Sequence, residues 1–290
     1  MFPSISKLCL GLAITTGCLL PVERLSADDW SDVDVDDRVL QIETTDIDDM
    51  VYVAINPFAE DELAIHILHF VSSAPSLDFQ SLEQAIAAAD DYRIESRRLD
   101  RIDEIFIDVR GGNDVVVVEQ DLAIPATVFG GPGDDYISGG AADDFLFGDS
   151  PDAPGGEDTI LGNRGNDWLD GGDADDLLRG GFGEDELFGG NGDDDLRGEH
   201  DADALYGGPG NDSLEGGFDG EQDNLEGGRG VDTFFSKYIK LVWKYRKRYN
   251  RLTRQWEYSK TKTPEILEAD TVSDLDTNAG DQVKATIIEG

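Results

Sequence analysis

Aspartates recur at a fixed spacing through the middle of this 290-residue chain. Nine residues separate all but two neighbouring members, and the exceptions are an insertion at "GDSPDAPG" and two extra residues near "FDGEQ". Carboxylate oxygens are the ligands that a hard cation such as calcium prefers, and no histidine or cysteine shares the pattern. The spacing therefore predicts a series of calcium sites with these ligands: Asp135, Asp144, Asp158, Asp167, Asp176, Asp185, Asp194, Asp203, Asp212, Asp223 and Asp232.

Glycines precede these aspartates within a nine-residue unit, as in "GGNGDDDLR" from 189 to 197. Glycine adopts positive backbone angles at no steric cost, which suits a tight turn. It also leaves the backbone carbonyls open to an ion. The clean units predict further metal-binding positions at Gly130, Gly131, Gly133, Gly180, Gly181, Gly183, Gly189, Gly190, Gly192, Gly207, Gly208, Gly210, Gly227, Gly228 and Gly230.

An apolar residue follows each aspartate by two positions, eleven times in succession. The chain has 63 acidic and 23 basic residues, a formal net charge of -40, and strongly acidic chains are commonly disordered. A disordered linker would not keep an apolar residue in phase, so that interpretation is rejected. The acidity also argues against nucleic acid as a partner. The apolar series is Ile137, Leu146, Ile160, Leu169, Leu178, Leu187, Leu196, Leu205, Leu214, Leu225 and Phe234.

The repeat resembles the glycine-rich nonapeptide of the RTX (repeats-in-toxin, haemolysin-type) calcium-binding family, G-G-x-G-x-D-x-U-x. It covers about 130 to 235, with a degenerate forerunner, "RGGNDVVVV", at 110–118. The resemblance implies an all-β fold, a right-handed parallel β-roll or β-helix solenoid in which two nonapeptides form one coil. It also implies a β-rich N-terminal lead-in and a C-terminal cap.

Stacked coils place turns two units apart above one another, so a cation can lie between two aspartates and several carbonyls. Eleven turns allow nine such vertical pairs. We expect Asp194 to lie between Asp176 and Asp212, with Asp193 in the turn and Asp195 on the solvent face. Glu199 replaces a second glycine, where a positive backbone angle is costly for a side chain.

The N-terminus has one early lysine, an apolar run from Leu8 to Leu20, and acidic residues from Asp28 onward. This pattern predicts a secretory signal peptide cleaved after Ala27, and therefore a secreted or cell-surface protein without a transmembrane segment. Both cysteines, Cys9 and Cys18, lie within it. The mature protein would have no disulfide, so a metal is the first candidate for holding it together.

Four regions are predicted: a signal peptide at 1–27, a β-rich lead-in at 28–109, the calcium-binding roll at 110–235, and a basic, aromatic insert with a C-terminal cap at 236–290. The β-runs between 39 and 129 suggest a continuation of the stack. Ser81 to Ala89 predicts a helix that covers its open end.

Other residues with catalytic or metal-binding chemistry are few. His66 and His69 in "HILH" allow a metal site, although a β-run with partly buried histidines is the preferred interpretation. The sequence shows no serine or cysteine nucleophile with a paired base. We therefore expect a protein that is not an enzyme.

Residues 237–262 hold ten of the 23 basic residues, six aromatic residues and one acid. Both a hairpin and a helix are allowed, and the hairpin is favoured because the segment follows a β-stack. It is either a patch for an anionic ligand or a cap that neutralises the acidic roll. The candidate patch comprises Lys240, Lys244, Arg246, Lys247, Arg248, Arg251 and Arg254.

Together these features predict an exported protein that binds several calcium ions and folds on binding them. A structural, adhesive or matrix-associated role follows, with anionic polysaccharide or cell-surface matrix as the expected partner. The alternative is a secreted polysaccharide-active enzyme or protease that carries the roll as an accessory module. Family members commonly use a C-terminal export signal, whereas the signal here implies the general secretory route.

Overall fold

The computed structural model describes residues 32–36, 38–57, 59–70, 82–150, 155–217, 219, 221–250, 255–266, 271–272 and 282–288. The predicted signal peptide, with Cys9 and Cys18, lies outside these residues, as does most of the insertion at 149–155. The strands are β1 Asp32–Asp36, β2 Val39–Glu43, β3 Asp49–Ile55, β4 Glu62–His69, β5 Asp91–Arg98, β6 Glu104–Asp108, β7 Val115–Val118, β8 Ala126–Phe129, β9 Tyr136–Ser138, β10 Phe145–Phe147, β11 Thr159–Arg164, β12 Trp168–Asp173, β13 Leu177–Phe182, β14 Glu186–Asn191, β15 Asp195–His200, β16 Ala204–Pro209, β17 Ser213–Gly217, β18 Asn224–Arg229, β19 Thr233–Asn250, β20 Gln255–Ile266, β21 Thr271–Val272 and β22 Gln282–Ile288.

Successive repeat strands alternate between two sheets, which makes the repeat region a β-solenoid of about six turns. The first sheet, called sheet A here, has the order β1-β2-β6-β8-β10-β12-β14-β16-β18-β21. The second, sheet B, has the order β20-β19-β17-β15-β13-β11-β9-β7-β3-β4-β5, with β22 also paired to β19. The repeat strands pair in parallel, so the predicted all-β roll is confirmed.

The core lies between the two sheets and consists of the apolar residue of each nonapeptide. All eleven members of the predicted apolar series are 0% exposed. The register aligns them, as shown by Leu178 opposite Leu196 and Leu196 opposite Leu214. Apart from the buried Ser138 beside Ile137, the residues on either side of these core positions are exposed or half-buried, because side chains alternate along a strand.

The turns place positive φ angles at the second and fourth positions of the unit. Gly190 has φ 109° and Gly192 has φ 149°, and each packs against the carbonyl of the corresponding residue two units earlier. Glu199 takes the second position with φ 80°, which confirms the positive angle expected there. Ala174 (83°) and Asp201 (74°) adopt it at the fourth position. Asn163 (75°) adopts a positive φ at the second position as well, where asparagine tolerates it better, so Ala174, Glu199 and Asp201 mark the more strained turns.

The N-terminal lead-in continues the same stack. β2, β6 and β8 pair in parallel in sheet A, and β3, β7 and β9 do so in sheet B. Two antiparallel strands, β4 and β5, extend sheet B beyond the stack. The boundary between lead-in and roll at 109/110 stays a prediction.

One α-helix, α1 at Leu82–Ala88, agrees with the predicted helix at 81–89. Ala85 of this helix packs with Leu68 and Phe70 in a cluster separate from the main core. A 3-10 turn at Leu99–Arg101 follows β5. Within the described residues, neither helical segment is long and apolar enough to span a membrane.

The basic segment forms an antiparallel pair of strands, β19 and β20, as favoured from the sequence. Lys240 pairs with Glu265 near the roll, and Asn250 pairs with Gln255 at the far end. Thr233, Phe234 and Phe235 at the start of β19 pair with β17 in the last coil. The segment is thus a direct continuation of sheet B.

The outer face of sheet A carries a row of aromatic residues, called the aromatic stripe here. Neighbouring rings stack, with centroids 4.7 Å apart for Phe129 and Phe147 and 4.8 Å apart for Phe188 and Tyr206. Phe145 is 50% exposed and the others are half-buried. The stripe comprises Phe106, Phe129, Phe145, Phe147, Trp168, Phe188 and Tyr206.

Candidate metal-binding turns

The eleven predicted aspartates are all buried, with no more than 3% exposure. They form two columns, because each unit stacks on the unit two positions earlier. One column contains Asp135, Asp158, Asp176, Asp194, Asp212 and Asp232. The other contains Asp144, Asp167, Asp185, Asp203 and Asp223.

One carboxylate oxygen of each aspartate ties neighbouring coils together. The backbone N–H of Asp176 donates to Oδ1 of Asp194 at 2.9 Å, and that of Asp194 donates to Oδ1 of Asp212 at 3.1 Å. The same bond joins all nine vertical pairs, at 2.8 to 3.1 Å. The expected position of Asp194 between Asp176 and Asp212 agrees with this arrangement.

The second oxygen, Oδ2, is buried without a hydrogen-bond partner in most of these aspartates. Oδ2 of Asp144 differs, because it accepts the N–H of Gly140 at 2.7 Å. Buried polar atoms are rarely left unpaired, so each lone oxygen indicates a missing partner. The unpartnered atoms belong to Asp135, Asp158, Asp167, Asp176, Asp185, Asp194, Asp203 and Asp212.

The first glycine of each unit provides the space into which Oδ2 is directed. A Cβ built on Gly189 would lie 2.3 Å from Oδ2 of Asp194 and 2.7 Å from the carbonyl oxygen of Gly207. The same kinds of oxygen atom meet at Gly130. A Cβ built there would lie 2.3 Å from Oδ2 of Asp135 and 2.5 Å from the carbonyl oxygen of Gly148. A carboxylate oxygen and a carbonyl oxygen from two coils therefore converge where a side chain cannot fit.

Burial makes the charged form of these carboxyls costly. It raises the pKa of Asp176 and of Asp203 to about 9, and that of Asp194 to about 6. Neighbouring aspartates raise all three pKa values further, while backbone N–H donors lower them. A bound cation would offset the same desolvation and repulsion.

The atoms available to bind a metal are carboxylate oxygens of aspartate and backbone carbonyl oxygens of glycine. Calcium prefers oxygen ligands of these types. In the part of the chain that the structure describes, no three His, Cys, Asp or Glu side chains cluster closely enough to hold a metal alone. Carbonyl oxygens would have to complete each shell. First-position glycines such as Gly189 and Gly207 are suitably placed for this, and the metal-binding assignments stay predictions.

Two further aspartates extend the first column and were not singled out from the sequence. Asp114 is 1% exposed, donates its N–H to Oδ1 of Asp135 at 2.7 Å, and has an unpartnered Oδ2. Burial raises its pKa to about 9. Asp49, 0% exposed, donates its N–H to Oδ1 of Asp114 at 2.5 Å. The "RGGND" forerunner was the signal for Asp114, whereas the turn before Asp49 contains no glycine.

The two neighbours of Asp194 have separate roles. Asp193 accepts the N–H of Asn211 at 2.7 Å and donates its own to Asp175 at 2.7 Å, in a second, exposed ladder. Asp195 is half-buried and accepts a hydrogen bond from Arg197 at 2.8 Å. Only Asp194 has an oxygen directed into the space at the first glycine.

The histidines contact other side chains, in line with the preferred interpretation. Nδ1 of His66 lies 3.1 Å from the hydroxyl of Tyr92, and burial lowers the pKa of His66. The buried His69 is hydrogen-bonded to Asp49, where the aspartate column begins. His200 is exposed and stacks on Phe182 with ring centroids 4.3 Å apart.

A groove of about 340 Å³ lies on sheet A beside the insertion. Phe129, Phe147 and Asp170 line it together with Asp149. Asp149 accepts the N–H of Asp173 at 2.6 Å. Residues 151–154 lie outside the described part of the chain.

The basic patch predicted from the sequence falls on the β19–β20 pair. Lys240, Lys244, Arg246, Lys247 and Arg248 lie on β19. Arg251 and Arg254 fall between the two strands, outside the described residues. The patch stays a prediction as a ligand site.

Comparison with known families identifies the repeat. The RTX calcium-binding nonapeptide repeat, in a four-copy form, matches residues 127–150, 155–187 and 188–220. No curated protein and no solved structure matches the chain. The matched residues contain nine of the eleven predicted aspartates, from Asp135 to Asp212, and end before Asp223 and Asp232. This part of the chain carries RTX calcium-binding nonapeptide repeats.

Proposed function

We propose that this chain is an exported protein whose roll folds when calcium binds to the two aspartate columns. The observation that carries the proposal is the row of buried Oδ2 atoms without hydrogen-bond partners. All but that of Asp185 lie beside a carbonyl oxygen of the next coil in a space kept free by glycine, as Oδ2 of Asp194 does at Gly189. A doubly charged ion would satisfy these atoms and reduce the repulsion within a chain of net charge -40.

Calcium concentration would then decide where the protein folds. Sites in extracellular modules bind calcium with dissociation constants of roughly 10⁻⁴ to 10⁻³ M. Cytosolic calcium is far below this range, so the repeats stay loose during transport. Outside the cell the ion is abundant, and its binding energy becomes folding energy.

A structural or matrix-associated role, without catalysis, suits this architecture best. The roll is an uninterrupted stack, and its carboxylates are engaged in the ladder between coils. The N-terminal signal predicted at 1–27 supports secretion or display at the cell surface.

Circular dichroism of the mature protein, with and without calcium, tests the proposal. We expect a strong β-signal in millimolar calcium that disappears with excess EDTA and returns when calcium is restored. Magnesium at the same concentration should fail to replace it, because it demands a smaller, more rigid octahedral site. A β-signal that survives chelation unchanged would contradict the proposal.

A further inference from the structure

The first aspartate column begins with a carboxylate that the protein itself satisfies. Oδ1 of Asp49 is hydrogen-bonded to Nδ1 of His69, and Oδ2 accepts the backbone N–H and the hydroxyl of Thr45 at 3.2 and 3.3 Å. The hydroxyl of Thr44, which lies five residues before Asp49 as the first glycine does in the repeat, donates to the carbonyl oxygen of Val109 at 2.9 Å. Imidazole, hydroxyl and backbone donors thus satisfy oxygens of the kinds that lie open to a cation further along the column.

The second column begins in a similar way. The turn between β7 and β8 contains no buried aspartate, and its Leu122 carbonyl oxygen accepts the N–H of Ala141 at 2.8 Å. In the next turn of this column both oxygens of Asp144 are satisfied, Oδ1 by the N–H of Ala126 and Oδ2 by the N–H of Gly140, each at 2.7 Å. Neither turn leaves a buried carboxylate oxygen without a partner.

The unpartnered oxygens are concentrated in the coils that follow. The described residues between 32 and 129, from β1 to β8, are called the N-terminal stack here. They contain one unpartnered carboxylate oxygen, Oδ2 of Asp114, whereas eight column aspartates from Asp135 to Asp212 have such an atom. The need for a cation therefore increases from the N-terminal stack to the roll.

The N-terminal stack also has the larger apolar core. Eighteen residues of the main core cluster, from Val33 to Val128, lie in it, against eleven in the equally long stretch of chain from Ile137 to Phe234. Two smaller clusters, around Tyr52 and around Phe70, belong to the stack as well. Burial of apolar side chains is the main stabilising contribution to folding, so the stack has a source of stability that needs no metal. The roll has one core residue in each nine-residue, glycine-rich unit.

We propose that the N-terminal stack is folded without calcium and is the template on which the roll assembles, coil by coil towards the C-terminus, as the ion binds. The inference rests on the proposed function, which makes the roll itself dependent on calcium. The stack provides the edges for this growth, because β9 pairs in parallel with β7 and β10 with β8. In a solenoid each coil is stabilised by its neighbours, so a coil added to a folded edge is favoured over a first coil formed alone.

Hydrogen–deuterium exchange of the full mature protein, measured by mass spectrometry, tests the proposal. In excess EDTA, peptides that cover β2 to β4 and β6 to β8 should stay protected, whereas those that cover β11 to β18 should exchange as an unfolded chain does. Chelation then removes the β-signal of the roll and leaves that of the stack. During stepwise addition of calcium, protection should appear at β11 and β12 before it appears at β17 and β18.

Two threonine variants form a matched pair within the stack. Thr44→Val removes the buried hydroxyl that satisfies the Val109 carbonyl oxygen, so exchange of β2 and β6 in EDTA should become about tenfold faster or more. The calcium midpoint of the roll should rise with it, because a less stable template supports assembly less well. Thr127→Val removes only a 3.4 Å bond to the exposed Glu104 and should leave the exchange rates within about threefold of wild type.

Three results would overturn the inference. They are loss of protection in the N-terminal stack together with the roll in EDTA, protection that appears first at β17 and β18 as calcium is added, and equal effects of the two threonine variants. Failure of the proposed function is a different result, namely a roll that stays protected in EDTA. That result would also exclude assembly of the roll by calcium, even with a protected N-terminal stack.

Discussion

Asp194 shows how one carboxylate can have two tasks in this roll. Its Oδ1 accepts the N–H of Asp176 and links two coils, whereas its buried Oδ2 has no partner and faces Gly189. The first oxygen stabilises the stack directly. In the proposed function the second would connect stability to calcium, because a cation could satisfy this buried oxygen.

We predict that Asp194→Ala raises the calcium concentration at the folding midpoint by about tenfold or more, since bonds to charged groups contribute about 1.5 to 3 kcal/mol. The change removes a bond between coils and a proposed calcium ligand at once. Calcium titration followed by circular dichroism measures the midpoint.

Asp195→Ala is the matched control, because it removes the same charge one residue away. Asp195 is half-buried and bonds to Arg197, an interaction worth little at a surface. Its midpoint should stay within about twofold of wild type. Equal shifts in the two variants would show that bulk charge, rather than the position of Asp194, sets the response.

At the scale of the strand, β13 presents two adjacent leucines in different surroundings. Leu178 is 0% exposed in the core between the sheets, and Leu177 is half-buried on the outer face. Leu178→Ala should lower the free energy of unfolding of the calcium-loaded protein by about 2 to 5 kcal/mol. Leu177→Ala should cost less than about 1.5 kcal/mol, because it leaves no enclosed cavity.

Urea unfolding in saturating calcium measures both values on the same fold. Both variants replace a leucine of the same strand by alanine. A difference between their free energies of unfolding therefore reports which face of the strand the side chain lies on. Comparable losses would mean that the outer face of sheet B packs as tightly as the core.

The strands and turns of the roll can be predicted from the sequence, because the same pattern of a turn, an aspartate and an apolar residue two positions later occurs eleven times. Leu178 and Glu199 illustrate this: phase alone predicts the burial of the first and the positive φ of the second. The bond from the N–H of Asp176 to Asp194 was not predicted, because it joins residues 18 positions apart through stacking. The position of Asp49 in the column was not predicted either, because the turn before it contains none of the glycines by which the repeat is recognised.

The basic segment shows a different limit of prediction. Its alternating residues allowed both a helix and a hairpin, and only the register pairs Trp243 with Lys262 and Tyr249 with Trp256. Periodicity within one strand cannot determine which residues of the returning strand lie opposite. Which residues are opposed therefore follows from the pairing alone.

At the scale of the whole molecule, protons and calcium compete for the same buried carboxyls. Burial raises the pKa of Asp203 to about 9 and that of Asp185 to about 7, above the ordinary value of 3.8. Because these carboxyls have a higher pKa in the folded than in the unfolded state, their protonation stabilises the folded state. This stabilisation is fully present below about pH 4 and is lost as the pH rises through about 7 to 9. Without calcium, the β-signal should thus be stronger near pH 5.5 than near pH 9.

Calcium binding should reverse that pH dependence, because ligands must lose their protons before they bind the ion. The calcium midpoint should fall as the pH rises from about 6 to 9, and binding near pH 7 should release protons into a weakly buffered solution. A pH-sensitive dye and a calcium titration measure the two effects together. Asp203→Asn should release fewer protons than wild type, because it removes one of the buried carboxyls. A midpoint that does not change with pH, or binding without proton release, would show that the carboxyls are already ionised in the calcium-free chain and that calcium gains no advantage from their burial.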